Sequence, residues 1–371
     1  MLPELWVNYK GGSMLEDFYQ LEPYALNKKE KEQMLTSELI ELTRMHREKC
    51  PEYNRLLTAI GYDETKVVSY RDIPFYPVRM FKELELLSIP RDQIFKTMTS
   101  SGTTGQAVSK IYLDKENAGV PQKVMIKILN DYLGKKRLPI LIIDTPSVLK
   151  DRKSFSARGA AILGLRVLGT EFTYALNDDM SLNHGVLEQF MEKHNGEKFL
   201  IFGFTFMVWQ HFYKELVKLD CKYDMSEAWL MQSGGWKKLT SEAITREDFK
   251  ARMKEICGLQ HFLDHYGMVE QTGCIYAECE YGHLHASIYS DVITRRYEDF
   301  SPCEIGEKGI IQVVSVLPRS YPGHSLLTED EGIILGEEDC PCGRKGKYIQ
   351  ILGRMKSAEL RGCSDTYAAK F

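Results

Sequence analysis

The sequence predicts an α/β protein with layered αβα regions followed by a smaller β-rich region. In the middle of the chain, short apolar segments alternate with amphipathic stretches, which is the rhythm of parallel strands joined by crossover helices. The apolar segments are 138–144, 198–203 and 228–232, and the amphipathic stretches are 114–134, 181–194, 205–219 and 240–256. After residue 283 the pattern changes to short strands separated by Gly and Pro, at 309–316, 332–336 and 348–352.

The first ninety-odd residues are predicted to be helical. From 27 to 49, apolar residues recur at helical spacing among Lys, Glu and Arg. Pro51 ends this helix because proline disfavours helical geometry in the residue before it. A second helix is predicted from Pro77 to Leu87. The predicted regions are a helical segment at 1–95, an α/β region at 96–282, a β-rich region at 283–353 and a short C-terminal tail at 354–371.

The composition is that of an ordinary globular protein, and it excludes several functional classes. Of 371 residues, 43% are hydrophobic and 27% charged, and the formal net charge of −4 offers no basic excess for binding nucleic acid. No window approaches the ~18 apolar residues of a membrane span, and the N-terminus lacks the form of a secretory signal. Nine scattered cysteines fit reduced thiols, so we expect a cytoplasmic protein.

The most informative segment is a loop of hydroxyl-bearing residues and glycines. It comprises Thr99, Ser100, Ser101, Gly102, Thr103, Thr104 and Gly105. Glycines permit tight turns in which backbone N–H groups converge on an anion, and the hydroxyls add donors for phosphate oxygens. No Gly-Lys-Ser/Thr follows, so the segment is not a Walker A loop. Its composition alone also fits a solvated surface loop, whereas the order of its residues favours phosphate.

That order, Ser-Gly-Thr-Thr-Gly, closely resembles the phosphate-binding signature of the adenylate-forming enzymes, which include acyl-CoA synthetases and phenylacetate-CoA ligases. Further segments resemble that family's motifs in the same order along the chain. They are Gln232-Ser233-Gly234-Gly235-Trp236, Tyr266-Gly267-Met268-Val269-Glu270, Thr328-Glu329-Asp330 and Gly353-Arg354. Val269 replaces the family's usual Thr and Glu329 its usual Gly. The resemblance covers residues 45–363, and its ordered matches make chance coincidence a poor explanation.

The resemblance implies a role for each matching residue. Tyr266 would line the adenine pocket, and Glu270 would help hold Mg²⁺ beside the phosphates. Asp330 would accept hydrogen bonds from the ribose hydroxyls, and Arg354 would reach ribose or phosphate. Besides the loop, the residues implied to surround ATP are Ser233, Gly234, Gly235, Tyr266, Gly267, Asp330 and Arg354.

The local sequence narrows the resemblance to the LuxE-type acyl-protein synthetases. The segments that carry it are Ile-Pro-Phe-Tyr-Pro-Val-Arg-Met-Phe-Lys at 73–82, Ser-Gly-Gly-Trp-Lys at 233–237 and Arg-Gly-Cys at 361–363. In that family a fatty acid is activated as acyl-AMP, passed to a cysteine near the C-terminus and delivered to a partner acyl reductase. The resemblance therefore implies ATP, Mg²⁺, a carboxylic acid substrate and an acyl reductase partner, with Cys363 as acyl acceptor and Arg361 beside its thiolate.

Larger adenylating enzymes carry a mobile C-terminal domain with a catalytic lysine. This chain ends 17 residues after Arg354, so we expect that domain to be absent. Lys237, beside the Gly-Gly turn, is a candidate substitute for the lysine, although a solvated surface lysine explains it more simply. The expected chemistry is attack of a carboxylate on the α-phosphorus of ATP, followed by attack of a thiolate on the mixed anhydride.

A second set of residues has the composition of a structural zinc site. Cys279, His285, Cys340 and Cys342 offer thiolate and imidazole ligands, and four such ligands close a tetrahedral site. His283 competes with His285, and Cys-x-Cys is less usual than Cys-x-x-Cys. Free cysteines and surface histidines are the alternative.

Other residues of chemical interest are given structural roles. His261 and His265 lie four positions apart in a predicted strand, where they would share a face, and hydrogen-bonded structural histidines are favoured over catalytic ones. Phe202, Phe204 and Phe206 suit an acyl pocket, but core packing is the default.

Two other functions stay open on the sequence. One is an acyl-CoA ligase, in which coenzyme A rather than Cys363 accepts the acyl group. The other is a non-catalytic scaffold that binds nucleotide or acyl-adenylate within a reductase complex.

Overall fold

The computed structural model describes residues 19–100, 108–149, 157–219, 223–236 and 242–355. The helices are α1 (Lys28–Lys49), α2 (Pro51–Ala59), α3 (Met80–Glu83), α4 (Lys115–Leu133), α5 (Ala157–Gly164), α6 (His184–Lys193), α7 (Thr205–Met207), α8 (Lys214–Leu219) and α9 (Arg246–Cys257), with a π-helix at Val208–Tyr213. The strands are β1 (Tyr76–Pro77), β2 (Lys96–Thr99), β3 (Lys110–Leu113), β4 (Leu138–Ile142), β5 (Gly169–Tyr174), β6 (Leu200–Phe204), β7 (Trp229–Ser233), β8 (His261–Leu263), β9 (His265–Gly267), β10 (Ile275–Glu278), β11 (Leu284–His285), β12 (Ser290–Arg295), β13 (Lys308–Ser315), β14 (Ser325–Glu337) and β15 (Lys347–Arg354).

A five-stranded parallel sheet is formed by the middle of the chain, with the strand order β5-β4-β6-β7-β8. Every residue of β6 is buried, as expected for a central strand of a parallel sheet whose two faces are both covered. The parallel pairing confirms the predicted α/β architecture. Because the strands are parallel, the carboxyl ends of β4, β6 and β7 lie at one edge of the sheet, where such folds bind ligands.

An eight-stranded sheet, almost entirely antiparallel, contains the β-rich part of the chain. Seven strands follow the order β12-β13-β14-β15-β11-β10-β9, and β1 pairs in parallel with β14. β14 pairs with β13 on one side, and on the other it pairs with β1 at Leu326 and Leu327 and with β15 from Asp330 onwards. The sheet begins before the boundary at residue 283, since β9 and β10 already belong to it.

The chain passes from one sheet to the other at Asp264, between β8 and β9. The Asp264 carbonyl accepts a hydrogen bond from the backbone N–H of Glu278 at 2.8 Å. The buried Glu278 carboxylate in turn binds Arg246 and Lys250 of α9, with the lysine at 2.7 Å. Ion pairs and backbone pairing therefore hold the two sheets together at this junction.

The predicted helices begin and end at recognisable caps. Asn27 and Glu30 form a capping box before α1, in which each side chain accepts from the other residue's backbone N–H. Asp114 caps α4 and Thr245 caps α9 in the same side-chain manner. In the described part of the chain, no helix is both long enough and apolar enough to cross a bilayer.

The helix predicted from Pro77 to Leu87 was wrong in extent, because only the four residues of α3 are helical. Tyr76 and Pro77 form β1, and the backbone N–H of Val78 donates to the Leu327 carbonyl at 2.8 Å. These backbone groups are used by the sheet, so the helix begins only at Met80.

The single strand predicted to hold His261 and His265 was also wrong. The two histidines lie in β8 and β9, which belong to different sheets, so they do not share a face. His261 is exposed and stacks on Trp229, with ring centroids 4.9 Å apart. Burial lowers the pKa of His265, which favours its neutral form. Neither position supports a catalytic pair.

A buried charge cluster joins α1 to the eight-stranded sheet. Asp291 accepts hydrogen bonds from the Tyr70 hydroxyl at 2.5 Å and from the Val292 N–H at 2.8 Å. Lys347 lies 3.3 Å and Lys31 3.7 Å from its carboxylate, and each of the three charged residues is at most 5% exposed. Burial alone would raise the pKa of Asp291, but the two lysines and the hydrogen bonds lower it to about 2. One carboxylate therefore serves two buried ammonium groups.

Replacing Asp291→Asn is expected to lower the free energy of unfolding by about 3–5 kcal/mol, because two buried lysines would lose their counter-charge. Urea denaturation at pH 7 measures this change. The folded-state pKa lies below the ordinary value of 3.8, so the contribution is present above pH 3.8 and is lost as the pH falls towards 2. The difference between the two chains should narrow over that interval.

Glu83→Gln is the matched control, since the exposed Glu83 pairs with Arg79 at 2.9 Å on the surface of α3. Its expected effect is below about 1 kcal/mol. An Asp291→Asn chain as stable as this control would contradict the role of the cluster.

Candidate active site

The predicted phosphate loop connects β2 to β3, which pair as a hairpin. Thr99 pairs with Lys110 at the end of this hairpin. Beyond it, the Ser100 N–H donates to the Ser109 carbonyl at 3.1 Å, and the Ser109 N–H donates to the Ser100 hydroxyl at 3.0 Å. Both ends of the loop are thereby held together, as a tight anion-binding turn requires. The predicted residues Ser101, Gly102, Thr103, Thr104 and Gly105 lie outside the described residues, as do Lys237 and Cys363.

Tyr266, Asp330 and Arg354 come together from three strands. Asp330 and Arg354 are cross-strand partners in β14 and β15, and the arginine Nε lies 3.7 Å from the carboxylate. The Tyr266 hydroxyl of β9 donates to the other carboxylate oxygen at 2.7 Å. Thr328 fixes the backbone of β14 here, because its hydroxyl accepts from the Asp330 N–H at 3.1 Å and donates to the Ile311 carbonyl at 2.8 Å.

The surroundings shift the titration of both partners. Burial raises the pKa of Asp330, and the Tyr266 hydroxyl and the Arg354 charge act against that rise. Burial and the neighbouring Asp330 raise the pKa of Tyr266 well above its usual range. The tyrosine therefore stays protonated as a donor, and Asp330 keeps one oxygen oriented by it and the other towards Arg354.

Glu270 is 6% exposed and lies in a short 3₁₀ turn, Val269–Gln271, directly after β9. The neighbouring Gln271 holds this turn, since its side-chain amide donates to the carbonyls of Val313 at 3.1 Å and Gly323 at 2.9 Å. A Cβ at position 323 would lie 2.6 Å from the Glu270 carbonyl, so only glycine allows this approach. Burial raises the pKa of Glu270, and the Ser109 hydroxyl, Lys82 and Arg354 oppose the rise.

The Gly-Gly segment follows the carboxyl end of β7. Gly234 has a left-handed φ of 69°, and a Cβ there would lie 3.1 Å from the Phe204 ring. Its carbonyl accepts a hydrogen bond from the Thr205 hydroxyl at 2.9 Å. At Gly235 a Cβ would meet no atom within 4 Å, so this backbone borders open space. Phe204 itself is buried and packs in the core, as predicted for the phenylalanine segment.

Half of the described residues predicted for the nucleotide site lie at the eight-stranded sheet. Asp330, Tyr266 and Arg354 are in contact, and Glu270 lies between Arg354 and the base of the loop at Ser109. Sequence analysis missed Ser109 and Lys82. Ser109 lies four residues beyond the predicted loop, which ends at Gly105, and Lys82 is the last residue of the segment 73–82, to which no role was assigned.

The second predicted cluster is assembled from two hairpin turns of the same sheet. Nitrogen and sulfur atoms of Cys279, His285, Cys340 and Cys342 all lie within 4.8 Å of one another. The two sulfur atoms of Cys279 and Cys340 are 3.9 Å apart, and Cys342 Sγ lies 3.3 Å from His285 Nε2. Ligands of one tetrahedral Zn²⁺ lie about 3.6–3.8 Å apart, so the donor set and its spacing fit that ion.

The two histidines near this cluster differ in their surroundings. His285 is fully buried, and burial followed by the charge of Arg344 lowers its pKa to about 3, which keeps it in the neutral form that binds metals. His283 is half-buried, lies 3.2 Å from Cys340 Sγ and stacks on Tyr348 at 4.6 Å. His285 therefore completes the compact set of four, and His283 flanks it.

The fold defines the class of protein. The chain superposes with a TM-score of 0.68 on 2-hydroxyisobutyryl-CoA ligase in its open conformation with 2-HIB-AMP and CoA, over 94% of this chain and 80% of that one at 15% identity. This likeness shows the fold of an adenylate-forming ligase.

Sequence comparison then assigns the family. Residues 10–371 match the family model "Acyl-protein synthetase, LuxE". The chain therefore belongs to the LuxE acyl-protein synthetase family and is a ligase of that type. This membership supports ATP-dependent activation of a carboxylic acid.

Two curated relatives agree with the assignment. The chain is 22% identical to the long-chain-fatty-acid–luciferin-component ligase of Vibrio harveyi over 358 residues, which is 92% of this chain and 89% of the relative. It is 22% identical to the protein of the same name from Aliivibrio fischeri over 302 residues, which is 79% of this chain and 77% of the relative.

Tyr266→Phe is expected to lower the free energy of unfolding by about 1.5–3 kcal/mol, because the carboxylate of Asp330 loses a partly buried charge-assisted hydrogen bond. Tyr297→Phe is the control, since the exposed Tyr297 donates to the Glu331 carboxylate at 2.6 Å. The control change should stay below about 1 kcal/mol. If urea denaturation gave the same loss of unfolding free energy for both variants, the hydrogen bond of Tyr266 would contribute no more than an exposed one.

Proposed function

We propose that the chain activates a fatty acid or a related carboxylic acid with ATP and passes the acyl group to its own Cys363. The observation that carries the proposal is the meeting of Glu270, Asp330, Tyr266 and Arg354 beside the base of the phosphate loop. These groups supply an acceptor pair for ribose, a cation for phosphate and a carboxylate for a metal in one place. The names of the two curated relatives support a long-chain fatty acid as the substrate class.

In the first step a carboxylate oxygen of the acid attacks the α-phosphorus of ATP. The bond between that phosphorus and the oxygen bridging to the β-phosphorus breaks, and pyrophosphate leaves with the bonding electrons. The charge that develops is met by loop amides and hydroxyls and by Arg354, and Asp330 orients the ribose. Mg²⁺, which Glu270 would help hold, supplies positive charge to the phosphates when bound.

In the second step the Cys363 thiolate attacks the acyl carbon of the anhydride, which forms a thioester and releases AMP. The described chain ends at Met355, whose N–H donates to the Glu329 carbonyl at 3.0 Å beside Asp330. Cys363 is the eighth residue after Met355. Eight extended residues reach up to about 29 Å, so the thiol has the chain length to return to the adenylate. An acyl reductase is the proposed recipient of the thioester.

The first test follows a radiolabelled fatty acid with ATP and Mg²⁺. The unchanged chain should catalyse ATP–pyrophosphate exchange and acquire a hydroxylamine-sensitive label. Cys363→Ser should keep exchange within about twofold, because adenylation precedes the thiol step, and should lose the label. Denaturing gels and exchange rates across a panel of acids measure both.

Cys303→Ser serves as the control, since this cysteine is half-buried and is not one of the four residues of the cysteine–histidine cluster. A label that persists in Cys363→Ser would contradict the acceptor. Thioester that appears in solution only with coenzyme A would make the chain an acyl-CoA ligase instead. If no acid supported ATP–pyrophosphate exchange, the chain would be a non-catalytic scaffold.

The cysteine–histidine cluster is proposed to hold a structural Zn²⁺. It joins the β10–β11 turn to the β14–β15 turn, and burial raises the pKa of the Cys340 thiol to about 12. Thiolates at these positions need a bound cation to offset the cost of burial. The cluster lies at the opposite end of β14 and β15 from Asp330 and Arg354, so the metal would set the register of the strands that carry the nucleotide site.

Elemental analysis of purified protein should find about one zinc per chain, and Cys342→Ser should lose it with a fall of several degrees in melting temperature. Cys303→Ser should retain the metal. Less than a tenth of an equivalent in the unchanged chain would refute the zinc site.

A further inference from the structure

The phosphate loop contains no cation of its own. From Thr99 to Ser109 the sequence has no Lys or Arg, and the next residue, Lys110, is exposed at the start of β3. ATP brings about four negative charges, and further charge develops at the α-phosphorus during displacement. The positive charge must therefore come from other elements that surround the loop.

The segment 73–82 delivers one such cation to this place. β1 pairs with Leu326 and Leu327 of β14, directly before Thr328 and Asp330, and α3 follows β1 after two residues. Phe81 anchors α3, since it is 2% exposed and packs on Tyr321 with ring centroids 5.8 Å apart. The position of the next residue, Lys82, is thus set by the same strand that carries Asp330.

Glu270 is also close enough to Tyr321 to affect its pKa. Gly323, two residues after Tyr321, is the glycine that lets the chain pass against the Glu270 backbone. Burial raises the pKa of Glu270, and the charges of Lys82 and Arg354 act to lower it. Neither cation forms an ion pair of 4.0 Å or less with the carboxylate. Two cations therefore act on one buried carboxylate beside the base of the loop, and such a set of charges suits a phosphate with its metal.

We propose that Lys82 is a further catalytic residue, which binds the triphosphate and neutralises the charge that moves onto pyrophosphate when the acid displaces it. Lys82 would then replace the catalytic lysine of the C-terminal domain, a role for which Lys237 was the candidate from the sequence. Its ammonium group keeps its protons throughout, and the electron pair of the breaking phosphorus–oxygen bond goes to pyrophosphate. The inference rests on the proposed function, since it concerns the adenylation step.

The test separates the two half-reactions in Lys82→Met and Lys82→Arg. Lys82→Met keeps the length of the side chain and removes its charge, so it should lower the rate of ATP–pyrophosphate exchange by about 10²-fold or more and weaken ATP binding in calorimetry. Transfer from synthetic acyl-AMP to Cys363 should stay within about twofold, because that step lacks the triphosphate. Lys82→Arg should recover part of the exchange rate.

Arg79→Ala is the control, since Arg79 precedes α3 and pairs with the exposed Glu83. It should leave exchange unchanged. Normal exchange in Lys82→Met would overturn this inference alone, and so would an equal loss in both half-reactions, which marks a structural role. A chain that is inactive in exchange before any substitution would overturn the proposed function, and this inference with it.

Discussion

The backbone pairing of β14 is the constraint on which the site depends. One side of this strand pairs with β13, and the other side is shared by β1 and β15. The shared side places Lys82, which follows β1, and Arg354, at the end of β15, near the same stretch of β14 that carries Asp330. Three segments far apart in the chain are thereby brought to the proposed nucleotide site by strand pairing.

Burial strengthens the electrostatic interactions of these charged side chains, and it also makes an unpaired charge destabilise the fold. Isolated charges in a low-dielectric interior are strongly destabilising, and three carboxylates of the described residues have specific partners that offset this cost. Asp291 has two lysines and a tyrosine, Glu278 has two cations of α9, and Asp330 has Tyr266 and Arg354. Glu270 differs, because no cation lies within ion-pair distance of it among the described residues. That difference supports the proposed role of Glu270 in holding a metal beside the phosphates of ATP.

The eight-stranded sheet links the proposed metal site to the proposed nucleotide site. Cys340 and Cys342 lie in the turn between β14 and β15, whereas Asp330 and Arg354 lie at the open end of the same pair. Cys279 and His285 belong to β10, β11 and their turn, and β10 pairs with the strand that carries Tyr266. A metal at the closed ends of these hairpins would fix the register at the open ends, where a one-residue slip would turn every side chain to the other face.

The sequence by itself determined the parallel α/β core, several of its helices, the ordered family motifs and the four zinc-ligand candidates, because periodicity and motifs are local properties. It did not determine that 76–78 is sheet rather than helix, or that the chain changes sheets between His261 and His265. Both depend on hydrogen bonds to partners that are distant in sequence, as at Val78 and Leu327. Only the tertiary structure decided that Ser109 and Lys82 lie near enough to Glu270 to lower its pKa, since residues from separate elements come together through packing that no local pattern records.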